Sequence, residues 1–296
     1  MIAVVGDVML DILMDGNLKG VAPGEPMSQW MDGKLTTRLG GAGFVASALK
    51  KMGVNEVHLF GCIGLRRENG GADMFGREVS ELCLDEGIIN AFYASGSTSA
   101  KLYTINNGHQ VMRFDNNKDK VNYDARVYLS YMSSADAIIV VDMSEGFVAH
   151  KSFDLSHVTC PIFIDPRPEN MDHYPQGEHV TMVCNERSAL KCARASNVLG
   201  HEGVPQQLAT LEAHSGGRAV ITQGAAGAAW MEPSGTVRTT TSESAHVDEI
   251  ASTVGAGNVF IARLAMEILD DMPFSVAVPS AEYTARQFVH AEEIYP

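Results

Sequence analysis

The chain has 296 residues, 45% of them hydrophobic and 20% charged, which excludes a disordered or fibrous protein and is enough to build one large α/β domain. Its formal net charge of -14 argues against sequence-independent binding to nucleic acid, although a few local donors could still hold an anionic small molecule. The five cysteines include no Cys-x-x-Cys pair and the ten histidines no His-Glu-x-x-His, so reduced thiols in a cytoplasmic protein are expected and a structural zinc site is not.

Residues 2–5 form an apolar β-branched run that reads as a buried strand ended by Gly6-Asp7. The run is too short for a signal peptide and has no basic leader. No apolar stretch reaches the roughly 20 residues that span a bilayer. Residues 11–33 read as irregular, with Gly16, Gly20, Pro23, Gly24 and Pro26 among them, while 28–39 alternate in part and could supply exposed strands outside the main sheet. Gly40-Gly41-Ala42-Gly43 opens a helix with Val45, Leu49 and Met52 at helical spacing and Gly53 at its end. Residues 57–60 read as a strand and 73–86 as a helix. Residues 100–105 and 110–114 flank Asn106-Asn107-Gly108, a strong hairpin signal. Residues 124–132 read as helix, and 137–141 and 161–164 as buried strands that end in Asp142 and Asp165. A strand at 180–183 precedes a helix from Glu186, and a strand at 219–222 stops at Gln223-Gly224. Residues 228–231 and 237–241 suggest a last hairpin; 256–269 and 281–292 are the last helices. Strands alternating with helices predict a mainly parallel sheet covered on both faces, with ligands at the carboxyl ends of its strands.

Ser252-Thr253-Val254-Gly255-Ala256-Gly257-Asn258 stands just before the long helix at 256–269. Small residues let backbone N–H groups approach an anion, and a helix N-terminus adds about half a positive charge. The segment reads as a cradle for a transferring phosphoryl group, or as a tight turn whose glycines permit close packing. Gly41-Ala42-Gly43-Phe44-Val45-Ala46 has the loose form of a dinucleotide fingerprint in the wrong context. The residues before it are too polar for a central strand, and the next strand ends without an acid for a ribose. No P-loop occurs. Thr222-Gln223-Gly224-Ala225-Ala226-Gly227 reads as a loop that admits a nucleotide or as a plain turn.

Taken in order, these motifs resemble the ribokinase-like, pfkB-type carbohydrate kinases, and among them the bacterial heptose-7-phosphate kinases, the kinase half of ADP-heptose synthesis. The carriers begin with Val4-Val5-Gly6-Asp7-Val8-Met9-Leu10-Asp11, Pro23-Gly24-Glu25-Pro26 and Gly40-Gly41-Ala42. Lys101-Leu102, Arg113-Phe114-Asp115 and Ile164-Asp165-Pro166-Arg167 follow, then Asn185, Thr222-Gln223-Gly224 with Gly227, and Gly255-Ala256-Gly257. The resemblance runs from Val4 to about Phe288, without the family's Gly-rich closing segment. It implies a three-layer α/β/α sandwich with a mainly parallel central sheet and a small β lid. That sandwich would be one kinase domain over 1–296, with lid strands from about 12–39 and 100–115.

It also implies ATP and Mg²⁺ as cofactors and a homodimer through the lid strands. In such a kinase Asp7 and Asp11 bind sugar hydroxyls, and Gly40 and Gly41 let the sugar lie against the backbone. Lys101 and Arg113 hold a phosphate already on the substrate. Asn185, Thr222, Gly224 and Gly227 contact ATP, Asp165 positions Mg²⁺ through water, and Gly255, Ala256 and Gly257 form the anion hole.

Four positions depart from the family pattern. Asn258 stands where the family has the aspartate that takes the proton of the attacking hydroxyl, and an amide nitrogen has no usable lone pair for that task. Losing a general base typically costs about 10²–10⁴ in rate, although phosphoryl transfer depends mainly on positioning and charge neutralisation. Ser188 replaces the glutamate of Asn-x-x-Glu, with Glu186 two residues away from that place. Phe44 replaces an asparagine that meets the sugar, and Ser252 the aspartate that starts the anion-hole motif. The expectation is therefore an ATP-dependent kinase of a sugar or sugar phosphate with weakened or altered chemistry. The alternative is a non-catalytic nucleotide- or sugar-binding or regulatory protein on the same fold.

Overall fold

The computed structural model describes residues 1–21, 28–66, 70–106, 109–116, 131–150, 153–195, 203–240 and 254–291. The chain begins with β1 (Ile2–Gly6), β2 (Val8–Val21), β3 (Ser28–Gly41), α1 (Ala42–Lys51) and β4 (Val57–Ile63). Next come α2 (Met74–Asp85), β5 (Ile89–Ala94), β6 (Ser99–Asn106), β7 (His109–Asn116), β8 (Ala137–Val141), β9 (Ile162–Asp165) and β10 (Val180–Asn185). It continues with α3 (Glu186–Ala195), α4 (Val204–Ser215), β11 (Arg218–Thr222), β12 (Ala228–Met231), β13 (Val237–Thr239), α5 (Ala256–Leu269) and α6 (Phe274–Ala291). The Pro23–Pro26 segment, the Asn107-Gly108 turn, Ser252 and the helix expected at 124–132, up to residue 130, lie outside the described residues.

The main sheet has nine strands in the order β13-β12-β11-β10-β9-β8-β1-β4-β5. Neighbours from β5 to β11 pair in parallel, and β12 and β13 are added antiparallel. β8 (Ala-Ile-Ile-Val-Val) is buried at every position, as a central parallel strand covered on both faces must be. Alternate residues feed two cores. Val4 and Ile139 join Leu49, Phe260 and Phe288 from α1, α5 and α6, whereas Val5 and Ile138 join Cys192, Leu208 and Leu211 from α3 and α4. The result is the expected three layers. Four cysteines are buried and Cys160 is half-buried, all of them free thiols.

β1 lies between β4 and β8. The chain changes direction of travel across the sheet at this strand, and open α/β sheets form their ligand crevice at such a place.

A second sheet stands apart from the first, in the order β3-β2-β6-β7. Its long β2–β3 ribbon corrects the reading of 11–33 as irregular. The register slips between Asp15 and Asn17 and between Leu18 and Gly20, so Gly16 sits at a bulge and the strand continues past it. α6 also starts earlier than expected, at Phe274, with Pro279 inside it. β5 and α4 were not expected at all.

Candidate active site

Two neighbouring cavities meet at the N-terminus of α5. The first, of about 240 Å³, lies between the second sheet and the carboxyl ends of β9 and β10. Four cations line it (Arg38, Lys101, Arg113 and Arg167) against two carboxylates, Asp11 and Asp165. A chain with net charge -14 thus concentrates positive charge in one small cleft.

The strand register explains this concentration. Arg38 of β3 is opposite Asp11 of β2, Asp11 is opposite Lys101 of β6, and Lys101 is opposite Asp115 of β7. Paired positions in adjacent strands share a face, so alternating charges run across the sheet in one row. Asp11 Oδ2 is 3.6 Å from Arg38 Nε, while Oδ1 is buried with no hydrogen-bond partner. Burial pushes the Asp11 carboxyl up to about 6, outweighing the opposing pull of Arg38 and Lys101. A Cβ at Gly40 would come within 2.5 Å of Asp11 Oδ1, so only glycine lets the carboxylate lie against the backbone there. Burial lowers the pKa of Lys101, with the nearby Arg113 adding to the effect. Arg113 grips Asp115 with two 2.6 Å bonds, which hold the Asp115 carboxyl below its usual range. The Arg113 guanidinium also lies 5.7 Å from the Tyr103 ring centroid.

Asp7 differs from what the sequence led us to expect. Its Oδ2 accepts from the backbone N–H of Met143 (2.7 Å) and Glu145 (3.1 Å), and its Oδ1 from Phe147 (3.2 Å). The side chain is buried and does not line the cleft. Its carboxylate therefore fastens the loop after β8 and does not face the cleft. Gly41, beside it, has φ +57°, and a Cβ there would be 2.3 Å from the Asp7 carbonyl oxygen, which accepts from Ala42 N at 2.9 Å.

At the far wall, Arg167 Nη1 donates to Asp165 Oδ1 at 3.2 Å. The neighbouring Asp142 already accepts from Ser144 N, Asn170 Nδ2 and Tyr174 Oη. Among the described residues no three His, Cys, Asp or Glu side chains gather into a metal-binding group. One carboxylate already paired with a guanidinium does not make a direct magnesium cradle, and the expected part of Asp165 in positioning Mg²⁺ through water stays a proposal.

Gly255 caps α5 at φ +102°, with no side-chain cap on the helix and no acid in its first turn. The first N–H groups of such a helix have no intrahelical acceptor. Ala256, Gly257 and Asn258 form that first turn. A Cβ on Gly257 would meet nothing within 4 Å, so this edge of the helix is open. Phe44 stands beside it: a Cβ on Gly255 would be 2.8 Å from the Phe44 ring. Phe44 also packs edge-on to Phe288 and lies under the Arg38 guanidinium. This aromatic group narrows the cleft beside the helix mouth.

The second cavity, of about 370 Å³, is bounded by Asn185, Thr222, Gly224 and Gly227 on one side and by α5 and α6 on the other. Gly224 and Gly227 have φ +57° and +88°, which the loop requires. Asn185 Oδ1 accepts from Ser188 N and so caps α3. Sequence reasoning missed the α6 wall with Glu282 and Arg286, as well as Arg38 in the first cavity. The 282/286 spacing of opposite charges was the available signal. Asn185 and Gly257 line both cavities.

A family model described as "pfkB family carbohydrate kinase" matches residues 1–294. The bifunctional protein HldE of Marinomonas sp. (strain MWYL1) is 33% identical over 184 residues, 58% of this chain and 37% of that protein. A D-beta-D-heptose 7-phosphate kinase of Bordetella bronchiseptica is 23% identical over 199 residues, 64% of this chain and 60% of that protein. The matches thus span less than two thirds of these relatives' own lengths. Among solved structures, a ribokinase from Thermotoga maritima gives a TM-score of 0.76 at 16% identity, covering 99% of this chain and 94% of that one. The phosphofructokinase-2 of Escherichia coli gives 0.73 at 13% identity, covering 98% and 93%. At these identities the likeness shows the ribokinase-like fold.

Proposed function

We propose, from the premise that this chain belongs to the pfkB family of carbohydrate kinases and is a phosphotransferase, that it uses ATP to phosphorylate a sugar phosphate of the heptose 7-phosphate class. The observation that carries this reading is the meeting of the two cavities at Asn185 and Gly257. A nucleotide laid along Thr222, Gly224 and Gly227 would end its phosphate chain at the open first turn of α5. A sugar in the cationic cleft would approach that point from the other side.

In the sugar cleft, the unpartnered Oδ1 of Asp11 accepts a hydrogen bond from a sugar hydroxyl. Gly40 and Gly41 let the ring lie close to the strand. Lys101 and Arg113 hold the phosphate already on the substrate, with Arg38 across Asp11 from them. The N–H groups of the α5 mouth take the charge that develops on the transferring group. The attacking hydroxyl oxygen forms a bond to the γ-phosphorus, and the bond from that phosphorus to the ADP oxygen breaks with its electron pair left on ADP. The hydroxyl proton moves to an oxygen of the transferred phosphoryl group, because the amide of Asn258 cannot accept it. Asn258 orients the hydroxyl through its oxygen. The magnesium ion that accompanies ATP is given no protein ligand in this reading. The enzyme works in the cytoplasm, and the second sheet serves as a lid and as the contact with a second copy.

The test is ADP release with heptose 7-phosphate and with other sugar phosphates, measured for wild type and Asn258→Asp. Turnover supports the reading, and its absence from both proteins on every sugar overturns it. Asn258 also favours a second reading, a nucleotide- and sugar-binding protein without catalysis. Calorimetric binding of both ligands by a protein that never turns over would select that one.

A further inference from the structure

The position expected to serve a metal ion holds an ion pair, and the cation of that pair faces the cleft. We propose that Arg167 is a catalytic residue whose guanidinium binds the γ-phosphate of ATP and takes up its charge during transfer. The inference rests on the kinase reading above and adds a residue that the reading does not use.

Three observations support it. Arg167 lines the same cavity as Gly255, Gly257 and Asn258, the mouth where the transferring group would sit. Its geometry is fixed from several sides: Nη1 donates to Asp165 Oδ1 (3.2 Å) and to the Pro166 carbonyl (3.4 Å), and Nη2 contacts the Met143 sulfur at 3.3 Å. The backbone N–H of Arg167 donates to Tyr174 Oη at 2.6 Å, and that hydroxyl donates to Asp142. Met143 is itself fastened by Asp7. The head group is therefore preorganised, which makes a fixed charge useful at a transition state. A guanidinium carries five N–H donors, and the contacts named use at most three. The remaining donors form a planar fork suited to phosphate oxygens.

Asp165 then has a defined part. It is a positioning residue that holds Arg167 toward the helix mouth, and the pair replaces a carboxylate-held divalent cation with a resident cation. The bonds made and broken are those already given. Arg167 stays protonated throughout and only exchanges hydrogen bonds with the transferring phosphoryl oxygens.

The test separates γ-phosphate recognition from turnover. Calorimetric titration of the full chain with ATP and with ADP, both in EDTA, should show ATP bound about tenfold more tightly by wild type. Arg167→Gln should abolish that preference, and Arg167→Lys should keep part of it. With metal present, Arg167→Gln should lose about 10²-fold in kcat with little change in the KM for the sugar. The proposal is overturned if wild type shows no metal-free preference for ATP over ADP, or if Arg167→Gln retains it. If wild type binds neither nucleotide even with magnesium present, the kinase reading fails as well, whereas binding only with magnesium, or binding of both without preference in EDTA, removes Arg167 alone. Should Arg167→Gln not fold, the wild-type preference and the Arg167→Lys variant still decide.

Discussion

The amide at position 258 is one atom type away from a general base, and it stands at the open first turn of α5. Restoring the carboxylate with Asn258→Asp is expected to raise kcat for ADP release by about 10²–10⁴, read in a coupled assay on heptose 7-phosphate. Asp11 carries a different prediction. Its folded pKa is raised to about 6 from the ordinary carboxylate value of 3.8, so between those values the folded protein binds more protons than the unfolded chain. Its contribution is therefore most favourable below about pH 4 and is lost as pH rises through about 6. Asp11→Asn, which stays neutral, should match wild type at pH 4 and become more stable than it above pH 6. At about 1.4 kcal/mol per pKa unit the gain is about 2 to 3 kcal/mol, read from urea midpoints across that range. A variant that gains no stability between pH 4 and 7 would show that the carboxylate is not buried. Had sequence alone decided, Asp7 and Asp11 would have stayed equivalent. Both are acids at the end of the first apolar run, and only the fold shows that three backbone N–H groups occupy one of them and not the other.

Among the elements, the loop after β8 matters most, because Asp7 ties its backbone down and Met143 passes that order to Arg167. Asp7→Ala would remove the acceptor from the backbone N–H groups of Met143, Glu145 and Phe147, the first two of them part-buried, at a cost of about 2 kcal/mol. Lower thermal and urea midpoints should come with weaker ATP binding. The parallel strands were legible because fully buried β-branched runs such as β8 have one reading. β2 was not, since the glycine that marks its bulge looks like a loop signal in sequence. α4 was hidden for another reason: Gln207 and Thr210 are buried within it, so polar residues break the apolar stripe that would announce a helix. β5 lies at the sheet edge with Ile89 half exposed, which blurs the pattern of a covered strand. The glycine motifs of the site could be read because they need small residues in any context. The four-cation cleft could not, because it depends on the register between strands far apart in sequence.

At the scale of the whole molecule, the second sheet leaves β7 as an edge, where Val111, Met112 and Phe114 are about half or more exposed. A paired copy would cover that apolar surface. Light scattering should therefore report a dimer for wild type and a monomer for Phe114→Lys. A monomeric wild type would remove the proposed role of this sheet in self-association. Because Asp11, Lys101 and Arg113 lie on the same sheet, the Phe114→Lys variant should also show a raised KM for the sugar.

Among the described residues, the two cavities share only Asn185 and Gly257 as lining. In the proposed reaction each spent reactant would then depart through its own doorway, without waiting for the other to clear the threshold. ADP would crowd out ATP alone and the doubly phosphorylated sugar would crowd out its precursor alone, so neither product would mimic both reactants in inhibition kinetics.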